Sequence, residues 1–373
     1  MTVQPDQVYM ARALRLANKG LYTADPNPRV GCVLTKAGEV IGEGWHVRAG
    51  ELHAERMALE QAGSKSQGAN VFVTLEPCSH TGRTGPCADE LIGAGVARVV
   101  CAVLDPNPKV AGTGIRRLEA AGIDVVLGVL EQSAVALNPG YFSRMTRKRP
   151  LIRSKLAVSL DGRTALAGGE SQWITGEAAR ADVHRWRARS SAIVTGVGTV
   201  LADNPSLNAR LEDVDRSIVQ PARVVIDAQL QTPLNAKLLS LSGDVIIFTT
   251  HDQGPSRQAA MEKTEDLMRQ GVAVEVVSGS NRCDLKQVMQ RLGELEFNEL
   301  WVEAGSTLNG ALLEMGLIDE FVIYIAPHLL GTDAQGMFAI EPLTSLERRI
   351  QVKYEDVRKV GSDLRIVACL AES

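Results

Sequence analysis

The chain has 373 residues, a length that favours two domains over one. Hydrophobic residues make up 45% of the sequence and charged residues 23%, which is typical of a globular protein and excludes extensive disorder. The formal net charge of -4 at pH 7 excludes a broad basic surface for nucleic acid, although a local basic patch is still compatible with it.

The N-terminal sequence MTVQPDQVYM has no basic segment followed by an apolar one, so we predict no secretory signal. No run of about 18 apolar residues occurs, which predicts no membrane span. We therefore expect a cytoplasmic protein, in which the six cysteines are thiols or metal ligands rather than disulfides.

Helix and strand patterns alternate along the first part of the chain. Apolar residues at helical spacing from Tyr9 to Ala17 predict a helix that stops at Gly20. The segments VGCVLT and EVIGEGWH predict strands on both sides of a turn at Ala37-Gly38, and a helix follows from Ala54 to Ala62. NVFVTLEP and RVVCAVLDP predict buried strands, with a short helix from Asp89 to Gly95 between them. This order predicts an α/β sandwich.

The polar, basic segment SRMTRKRP at residues 143–150 interrupts the alternation and is predicted to be a solvated linker. Beyond it, apolar segments predict the strands of a second α/β domain: LIRSKLAVS, SAIVTG, ARVVID, DVIIFTT, VAVEVVS, LWVEAG and FVIYIAP. We place the boundary within the linker, with a first domain over residues 1–146 and a second over residues 147–373.

A histidine, a glutamate and two cysteines in the first domain form a pattern typical of zinc enzymes. HAE supplies His53 and Glu55, LEPC supplies Cys78, and Cys87 follows. One imidazole and two thiolates suit Zn²⁺, and three protein ligands leave the fourth tetrahedral position open for water. Zinc lowers the pKa of that water and so supplies a nucleophile, while Glu55 can move a proton from it to a leaving amine.

Each of these residues alone has an ordinary explanation as a packed or surface side chain. Together they resemble the signature of nucleobase deaminases, which combines H-x-E with P-C-x-x-C. The spacing departs from that signature, because eight residues rather than two separate Cys78 from Cys87. The insert, SHTGRTGP, is rich in turn formers, so we expect a loop that brings both sulfurs to one metal.

HAE together with TLEPCSHTGRTGPC resembles the bifunctional riboflavin biosynthesis deaminase/reductase family, in which the long insert is the normal form. NPRVGCVL, GEGWH, RAGELHAE and LDPNPKVAGTGIRRLEAAGI match it too, so the resemblance covers nearly all of residues 8–145. It implies a cytidine-deaminase-like α/β/α sandwich that releases ammonia from a diaminopyrimidinone carrying a ribosylamino 5-phosphate. It also implies that Asn27 hydrogen bonds to the ring, and that His80 and Arg83 contact the phosphate end. For the last two, an ordinary exposed loop is the alternative.

Two turns in the second domain lie between a predicted strand and a predicted helix. TGVGT at residues 195–199 is half of a dinucleotide fingerprint, with Leu201 in place of the third glycine, and EAGST occupies residues 303–307. Such turns offer free N–H groups to phosphate. Two of them favour a phosphorylated cofactor, although similar turns are common without any ligand.

KLAVSLDGRTA, GESQWITG, GVGTVLADNPSLNAR, VVID, WVEAGSTLNGALL and YIAPHLLG resemble the reductase half of the same family. The resemblance implies a dihydrofolate-reductase-like α/β domain that uses NADPH to reduce the ribosyl ring of the deaminated product to a ribityl chain. By position it assigns to the cofactor Ala157, Trp173, Thr199, Asp203, Ala228, Gly305, Ser306, Thr307, Leu308, Asn309, Gly310 and Ala311. It assigns to the substrate Ser171, Arg187, Leu207, Arg210 and Glu303, and the two arginines have the fork geometry that binds phosphate.

Reduction also requires proton transfer, because hydride attacks the sugar carbon after the ribose ring opens to an imine. Lys155 in RSKLAVS and Glu303 in LWVEAG are charged residues in apolar strands, where an unpaired charge is costly. We expect both to be catalytic, in line with the family resemblance. The alternative is that they pair with each other or face solvent, and Asp203 is then the next candidate.

The sequence is compatible with two other functions. A nucleic-acid editing deaminase would share the zinc motif, but 4% aromatic residues and a net negative charge disfavour it. A zinc-stabilised regulatory protein is disfavoured because a structural zinc site does not need Glu55. We expect one Zn²⁺ per chain, a small-molecule substrate, no nucleic-acid or membrane partner and, from the family, a homo-oligomer (a dimer or larger).

Overall fold

The computed structural model describes residues 5–79, 85–211, 218–250 and 257–371. The chain divides into two compact units, Met1–Arg149 and Pro150–Ser373. Within the described ranges, every helix is too short or too polar to cross a bilayer.

The first unit is a five-stranded sheet with helices on both faces. Its elements in chain order are α1 Pro5–Ala17, β1 Gly31–Lys36, β2 Glu39–Trp45, α2 Ala54–Ala62, β3 Asn70–Val73, α3 Cys87–Gly93, β4 Arg98–Cys101, α4 Thr113–Ala120, β5 Asp124–Leu127, α5 Glu131–Leu137 and α6 Pro139–Arg147. The strand order is β2-β1-β3-β4-β5. β1 is antiparallel to β2 and β3, whereas β3, β4 and β5 are parallel.

Alternation along the strands explains the two helical layers, since successive side chains point to opposite faces of a sheet. Val33, Phe72 and Val100 pack with apolar residues of α1, α5 and α6. Their strand neighbours, such as Leu34 and Val73, pack instead with α2, α3 and α4. The first unit is therefore the α/β/α sandwich that the sequence predicts.

The predicted solvated linker at residues 143–150 is wrong for its first part. Those residues continue α6, which spans Pro139–Arg147 and begins with proline at its first turn. Tyr141 and Ser143 are buried, and Phe142 packs against the same apolar cluster. This basic segment belongs to a helix whose apolar face packs in the core, and exposed side chains occur in it only from residue 146 to residue 148.

The second unit contains a nine-stranded sheet and a small two-stranded one. Its elements are β6 Leu151–Ser159, β7 Arg163–Ala165, α7 Glu177–Arg189, β8 Ala192–Gly196, α8 Val197–Asp203, β9 Ala222–Ile226, β10 Val245–Thr249, α9 Arg257–Arg269, β11 Ala273–Val276, α10 Leu285–Glu294, β12 Glu299–Val302, α11 Ser306–Glu314, β13 Glu320–Ala326, β14 Gln335–Gly336, β15 Val352–Val360 and β16 Asp363–Leu370. The large sheet has the order β11-β10-β9-β8-β12-β6-β13-β16-β15. It is parallel from β11 to β13 and antiparallel over the last two strands.

Helices again cover both faces of the large sheet. Val194 and Val302 pack with α10 and α11. Ile193 and Trp301, their neighbours in the same strands, pack with α7, α8 and α9. The second unit is thus an α/β layer structure in which the central parallel strands are buried on both faces, as expected for such sheets.

All the strands predicted for the second domain are present, but the C-terminal hairpin of β15 and β16 was not predicted. β15, with the sequence VKYEDVRKV, is exposed along nearly its whole length. It therefore lacks the apolar face from which a strand is recognised.

Candidate active sites

Three side chains of the first unit converge where two helices begin. His53 is the N-cap of α2, Cys87 is the first residue of α3, and Cys78 lies in the segment after β3. His53 Nδ1 is 3.2 Å from Cys87 Sγ and 3.6 Å from Cys78 Sγ. The three ligand atoms lie within 4.8 Å of one another, close enough to share one metal ion.

The electrostatics of this cluster favour a thiolate at Cys78. Its hydrogen bond with Cys87 is the main cause that lowers the pKa of Cys78 to about 4, with His53 adding to the effect and burial opposing it. The backbone N–H of Cys87 also donates to Cys78 Sγ at 3.3 Å. The same side-chain contact raises the pKa of the Cys87 thiol. A cation bound between the two sulfurs would favour the thiolate form of both.

Glu55 lies in the first turn of α2 and is only 3% exposed. Burial, with the Cys78 charge adding to it, raises the pKa of Glu55 to about 7. A carboxyl group with a pKa near neutrality can both accept and donate a proton at physiological pH. The structure therefore places Glu55 beside His53, Cys78 and Cys87, with a pKa that suits proton transfer.

Asn27 reaches the same cluster through a histidine that was not among the predicted site residues. Asn27 Nδ2 is 3.0 Å from His46 Nε2, and His46 Nδ1 is 3.1 Å from the carbonyl oxygen of Leu52. The rings of His46 and His53 meet edge to face with centroids 5.4 Å apart. The only sequence signal for His46 is its place at the end of GEGWH. The predicted phosphate contacts of His80 and Arg83 lie outside the described residues.

The two glycine-containing turns of the second unit lie side by side. Gly196 ends β8 and is the N-cap of α8, while Gly305 follows β12 and is the N-cap of α11. β8 and β12 are neighbours in the sheet, and a Cβ on Gly196 would lie 3.6 Å from Leu308 Cδ2. Two adjacent helix N-termini present backbone N–H groups suited to binding an anion.

The other predicted cofactor residues lie in varied surroundings. Ala157 is partly buried in β6, and Ala228 is partly buried just beyond β9. Thr199 and Asp203 lie in α8, where Asp203 is exposed. Trp173 is 71% exposed, and the Arg180 guanidinium lies 4.8 Å from its ring centroid.

Part of the predicted set in α11 is explained by packing. Asn309 is fully buried, and its amide accepts from the Ser154 hydroxyl and donates to the Ala304 carbonyl, both at 2.8 Å. A Cβ on Gly310 would lie 2.1 Å from the Ala339 carbonyl oxygen. Glycine at this position therefore allows a close approach of two backbones. Ser306, Thr307 and Ala311 complete the first turns of the helix.

Arg187 and Glu303 form a bidentate ion pair across 116 residues of sequence. Arg187 Nε and Nη2 donate to the two carboxylate oxygens at 2.6 and 2.8 Å, and the Trp301 indole donates to Glu303 Oε1 at 2.7 Å. Burial alone would raise the pKa of Glu303, but Arg187, Lys155 and Trp301 outweigh it and lower the pKa to about 2. Glu303 is thus held as a carboxylate, and two of the guanidinium nitrogens of Arg187 donate to it.

Lys155 is the strand neighbour of Glu303 rather than its ion-pair partner. Val302 aligns with Ser154 in the parallel pairing of β12 with β6, so the next position brings Glu303 beside Lys155. Glu303 forms its hydrogen-bonded ion pair with Arg187, and its charge also acts on Lys155. Burial lowers the pKa of Lys155, with Glu303 opposing the shift and Arg187 adding to it.

The remaining predicted substrate residues lie in the segments that precede α7 and follow α8. Arg210 is exposed, with its backbone N–H 3.3 Å from His184 Nδ1 and its Nη2 3.1 Å from His184 Nε2. Burial, Arg187 and Arg210 lower the pKa of His184 to about 4. Leu207 is buried with a left-handed φ of 45°, and Ser171 lies in the segment before α7.

Comparison with known proteins agrees with this arrangement. Residues 3–103 match the cytidine and deoxycytidylate deaminase zinc-binding region, and residues 150–366 match the RibD C-terminal domain. The chain is 47% identical over 368 residues to riboflavin biosynthesis protein RibD of Escherichia coli strain K12, covering 96% of this chain and 98% of that protein.

Solved structures are similar over the same extent. Acinetobacter baumannii RibD, form 1, has a TM-score of 0.91 at 43% identity and covers 99% of both chains. The Thermotoga maritima diaminohydroxyphosphoribosylaminopyrimidine deaminase/5-amino-6-(5-phosphoribosylamino)uracil reductase has a TM-score of 0.85 at 32% identity, covering 98% of this chain and 99% of that one. The chain belongs to the RibD family of bifunctional riboflavin biosynthesis enzymes, with a zinc-binding deaminase domain followed by a reductase domain.

Proposed function

We propose that this chain catalyses two consecutive reactions on one small molecule. The first is hydrolytic deamination of 2,5-diamino-6-(5-phosphoribosylamino)pyrimidin-4-one, with release of ammonia. The second is NADPH-dependent reduction of the ribosyl side chain to ribityl. The observation that carries the proposal is the cluster of His53, Cys78 and Cys87 with the buried Glu55 beside it.

The first-unit cluster fits zinc, because one imidazole and two thiol ligands form a borderline-soft set that leaves one tetrahedral position open. Zinc held there would supply a water of lowered pKa as the nucleophile. Glu55 would take a proton from the attacking water and deliver it to the leaving amine. Its pKa of about 7 supports both transfers.

We assign pyrimidine recognition to Asn27. His46 fixes the amide of Asn27, because its own ring is held by the Leu52 carbonyl and has its other nitrogen against Asn27 Nδ2. If His46 donates through Nδ1, then Nε2 accepts from Asn27 and leaves the amide oxygen for a ring donor of the substrate. The roles of His80 and Arg83 at the phosphate end stay predictions from the sequence.

In the second unit, NADPH would supply the hydride. We assign its phosphates to the paired N-termini of α8 and α11, with Thr199, Asp203, Ser306, Thr307 and Leu308 around them and Ala157, Trp173 and Ala228 along the rest of the cofactor. The adjacency of these helix ends in the sheet supports this placement. Asn309 and Gly310 would act by shaping α11 rather than by direct contact.

For proton transfer in the reduction we assign Lys155 alone. A carboxylate whose pKa is about 2 is a poor proton donor, so Glu303 has a different role from the one first expected. It would hold Arg187 and stabilise the cationic form of Lys155. Arg210 is then the guanidinium left for the substrate phosphate, with Ser171 and Leu207 beside the substrate.

We further propose that the two catalytic domains separate just after α6, at residues 148–150, rather than inside that helix at residue 146. The end of α6 at Arg147 supports this boundary. We also propose that the protein acts in the cytoplasm and as a homo-oligomer, in keeping with the family expectation.

The test is to incubate the purified chain with the diaminopyrimidinone phosphate, with and without NADPH, and to identify the products by mass spectrometry. We expect ammonia and a ribosyl product without NADPH, and the ribityl product with it. A chain that oxidises NADPH with the undeaminated substrate, or that releases no ammonia, would contradict the proposed order of reactions.

A further inference from the structure

Glu76 is a buried carboxylate between the Cys78 segment and the residues that lead into α4. It is 3% exposed, and both its oxygens accept backbone N–H groups. Oε1 accepts from Gly114 at 2.9 Å and Ile115 at 3.3 Å. Oε2 accepts from Gly112 at 2.9 Å and Asp105 at 3.2 Å. Glu76 thus binds one continuous segment, residues 105–115, at both ends.

These N–H groups depend on Glu76 for a partner. Gly114 and Ile115 lie in the first turn of α4, where backbone N–H groups have no helical carbonyl to donate to. A negative charge at this end of a helix is also favourable for the helix dipole. Removing the carboxylate would leave buried donors unsatisfied, which destabilises the segment that carries them.

The segment held by Glu76 contacts both sequence neighbours of Cys78. A Cβ on Gly114 would lie 2.0 Å from the Pro77 carbonyl oxygen, so the two backbones touch at this point. On the other side, the hydroxyl groups of Ser79 and Thr113 are hydrogen bonded. The residues before and after Cys78, Pro77 and Ser79, therefore both contact residues 105–115.

Cys78 needs such support more than the other two ligand residues do. His53 and Cys87 are placed by the first turns of α2 and α3, whereas Cys78 belongs to no helix or strand. Its sulfur must nevertheless sit within hydrogen-bond distance of the Cys87 backbone N–H and near His53 Nδ1. The Cys78 carbonyl accepts from the Ala88 N–H of α3 at 3.2 Å, which holds one point of its backbone, and the residues on either side of Cys78 need contacts of their own.

We propose that Glu76 is the positioning residue of the metal centre, which fixes Cys78 relative to His53 and Cys87 by anchoring residues 105–115 against Pro77 and Ser79. The inference rests on the proposed zinc-binding role of the three ligand residues. Residues that orient metal ligands from outside the coordination sphere typically contribute about 10–100-fold to metal affinity or activity.

The test is Glu76→Gln in the full-length chain, with zinc affinity measured by chelator competition. Glutamine has the shape of glutamate, but its amide nitrogen would face N–H donors instead of accepting from them. We expect zinc affinity to fall by roughly 10–100-fold and the visible absorption of the cobalt-substituted protein to change. NADPH oxidation with the deaminated intermediate should stay at the native level and shows that the second unit is folded.

Glu43→Gln is the matched control, because Glu43 is a carboxylate of the same unit that pairs with the half-exposed Arg12. It should leave zinc affinity and the cobalt spectrum unchanged. If Glu76→Gln fails to fold by circular dichroism, Glu76→Asp, which keeps the charge but shortens the reach, is judged by the same two measurements.

Unchanged zinc affinity and cobalt spectrum in the folded Glu76 variant would overturn the inference, even if its melting temperature falls, because the residue would then only stabilise the fold. Native protein that deaminates without zinc is a different result. It would refute the proposed metal chemistry, whereas zinc-dependent native protein with an unaffected Glu76 variant refutes only the positioning role.

Discussion

Glu303→Gln should destabilise the second unit strongly at neutral pH. Glu303 and Arg187 are 15% and 14% exposed, and Arg187 is the main group that holds the carboxylate charged. The fall in the pKa of Glu303 from 4.5 to about 2 corresponds to about 3 kcal/mol of stability. Removing one partner of a buried pair costs about 3–5 kcal/mol in general, because the other charge is left uncompensated. Glu303→Gln should therefore lose about 3 kcal/mol of stability.

The pH dependence follows from the direction of the shift. A carboxyl group whose pKa is lowered by folding stabilises the folded state above its unfolded pKa, and that contribution is lost as the pH falls through the folded value. The difference in the free energy of unfolding between native protein and Glu303→Gln should therefore be full at pH 7. It should shrink between pH 4.5 and about 2.

A matched control lies in the same unit. Arg291 binds Glu275 with the same two-point geometry, at 2.6 and 3.0 Å, but the arginine side chain is 40% exposed. Exposed pairs contribute about 0–1 kcal/mol, so Glu275→Gln should cost little. The assay is urea unfolding followed by tryptophan fluorescence, since Trp301 contacts Glu303 directly. Equal losses for the two variants, or a loss below about 1 kcal/mol for Glu303→Gln, would refute the reasoning.

Three further outcomes concern the reactions. Cys78→Ser should abolish stoichiometric zinc and deamination, and elemental analysis that still finds zinc in the variant would contradict the ligand assignment. Glu55→Gln should keep zinc but slow ammonia release by about 10²–10⁴-fold, because an amide cannot carry the proton; near-native release would assign that proton to another group. Lys155→Met should slow NADPH oxidation in single-turnover experiments by roughly 10²-fold while deamination is unaffected, and a native rate would point to Asp203 instead.

Short-range patterns predicted most of the fold. Apolar, β-branched runs marked the central strands because those strands are buried on both faces. An apolar run does not identify the strand Val352–Val360, because that strand is exposed along nearly its whole length. Its strand structure depends on pairing with Asp363–Leu370. The sequence pattern also fails at residues 143–147, where Tyr141 and Phe142 just upstream decide that the basic segment continues a helix.

The sites divide in a similar way. The zinc motif could be recognised from the sequence, because its residue types and spacing are those that zinc chemistry requires. It consists of His53, Glu55, Cys78 and Cys87. The carboxylate of Glu76 has no such spacing, because its partners are backbone N–H groups of residues 105–115 and backbone carries no sequence signal.

The sequence also does not indicate whether Arg187 or Lys155 forms the ion pair with Glu303. Both cations lie far from Glu303 along the chain, and both are compatible with its charge. Only the placement of α7 against β12 brings the guanidinium, rather than the ammonium, to the carboxylate.

The position of β6 in the large sheet has a consequence for synthesis on the ribosome. β6 is the first strand of the second unit, yet its two neighbours, β12 and β13, lie near the end of the chain. In the first unit, by contrast, every strand pairs with one close to it in sequence. Domains fold as units from the N-terminus, and distant pairings form late. We therefore expect the first unit to fold, and to be able to bind its metal, before synthesis of the chain is finished. Leu151–Ser159 should stay unpaired until residues 299–326 have left the ribosome.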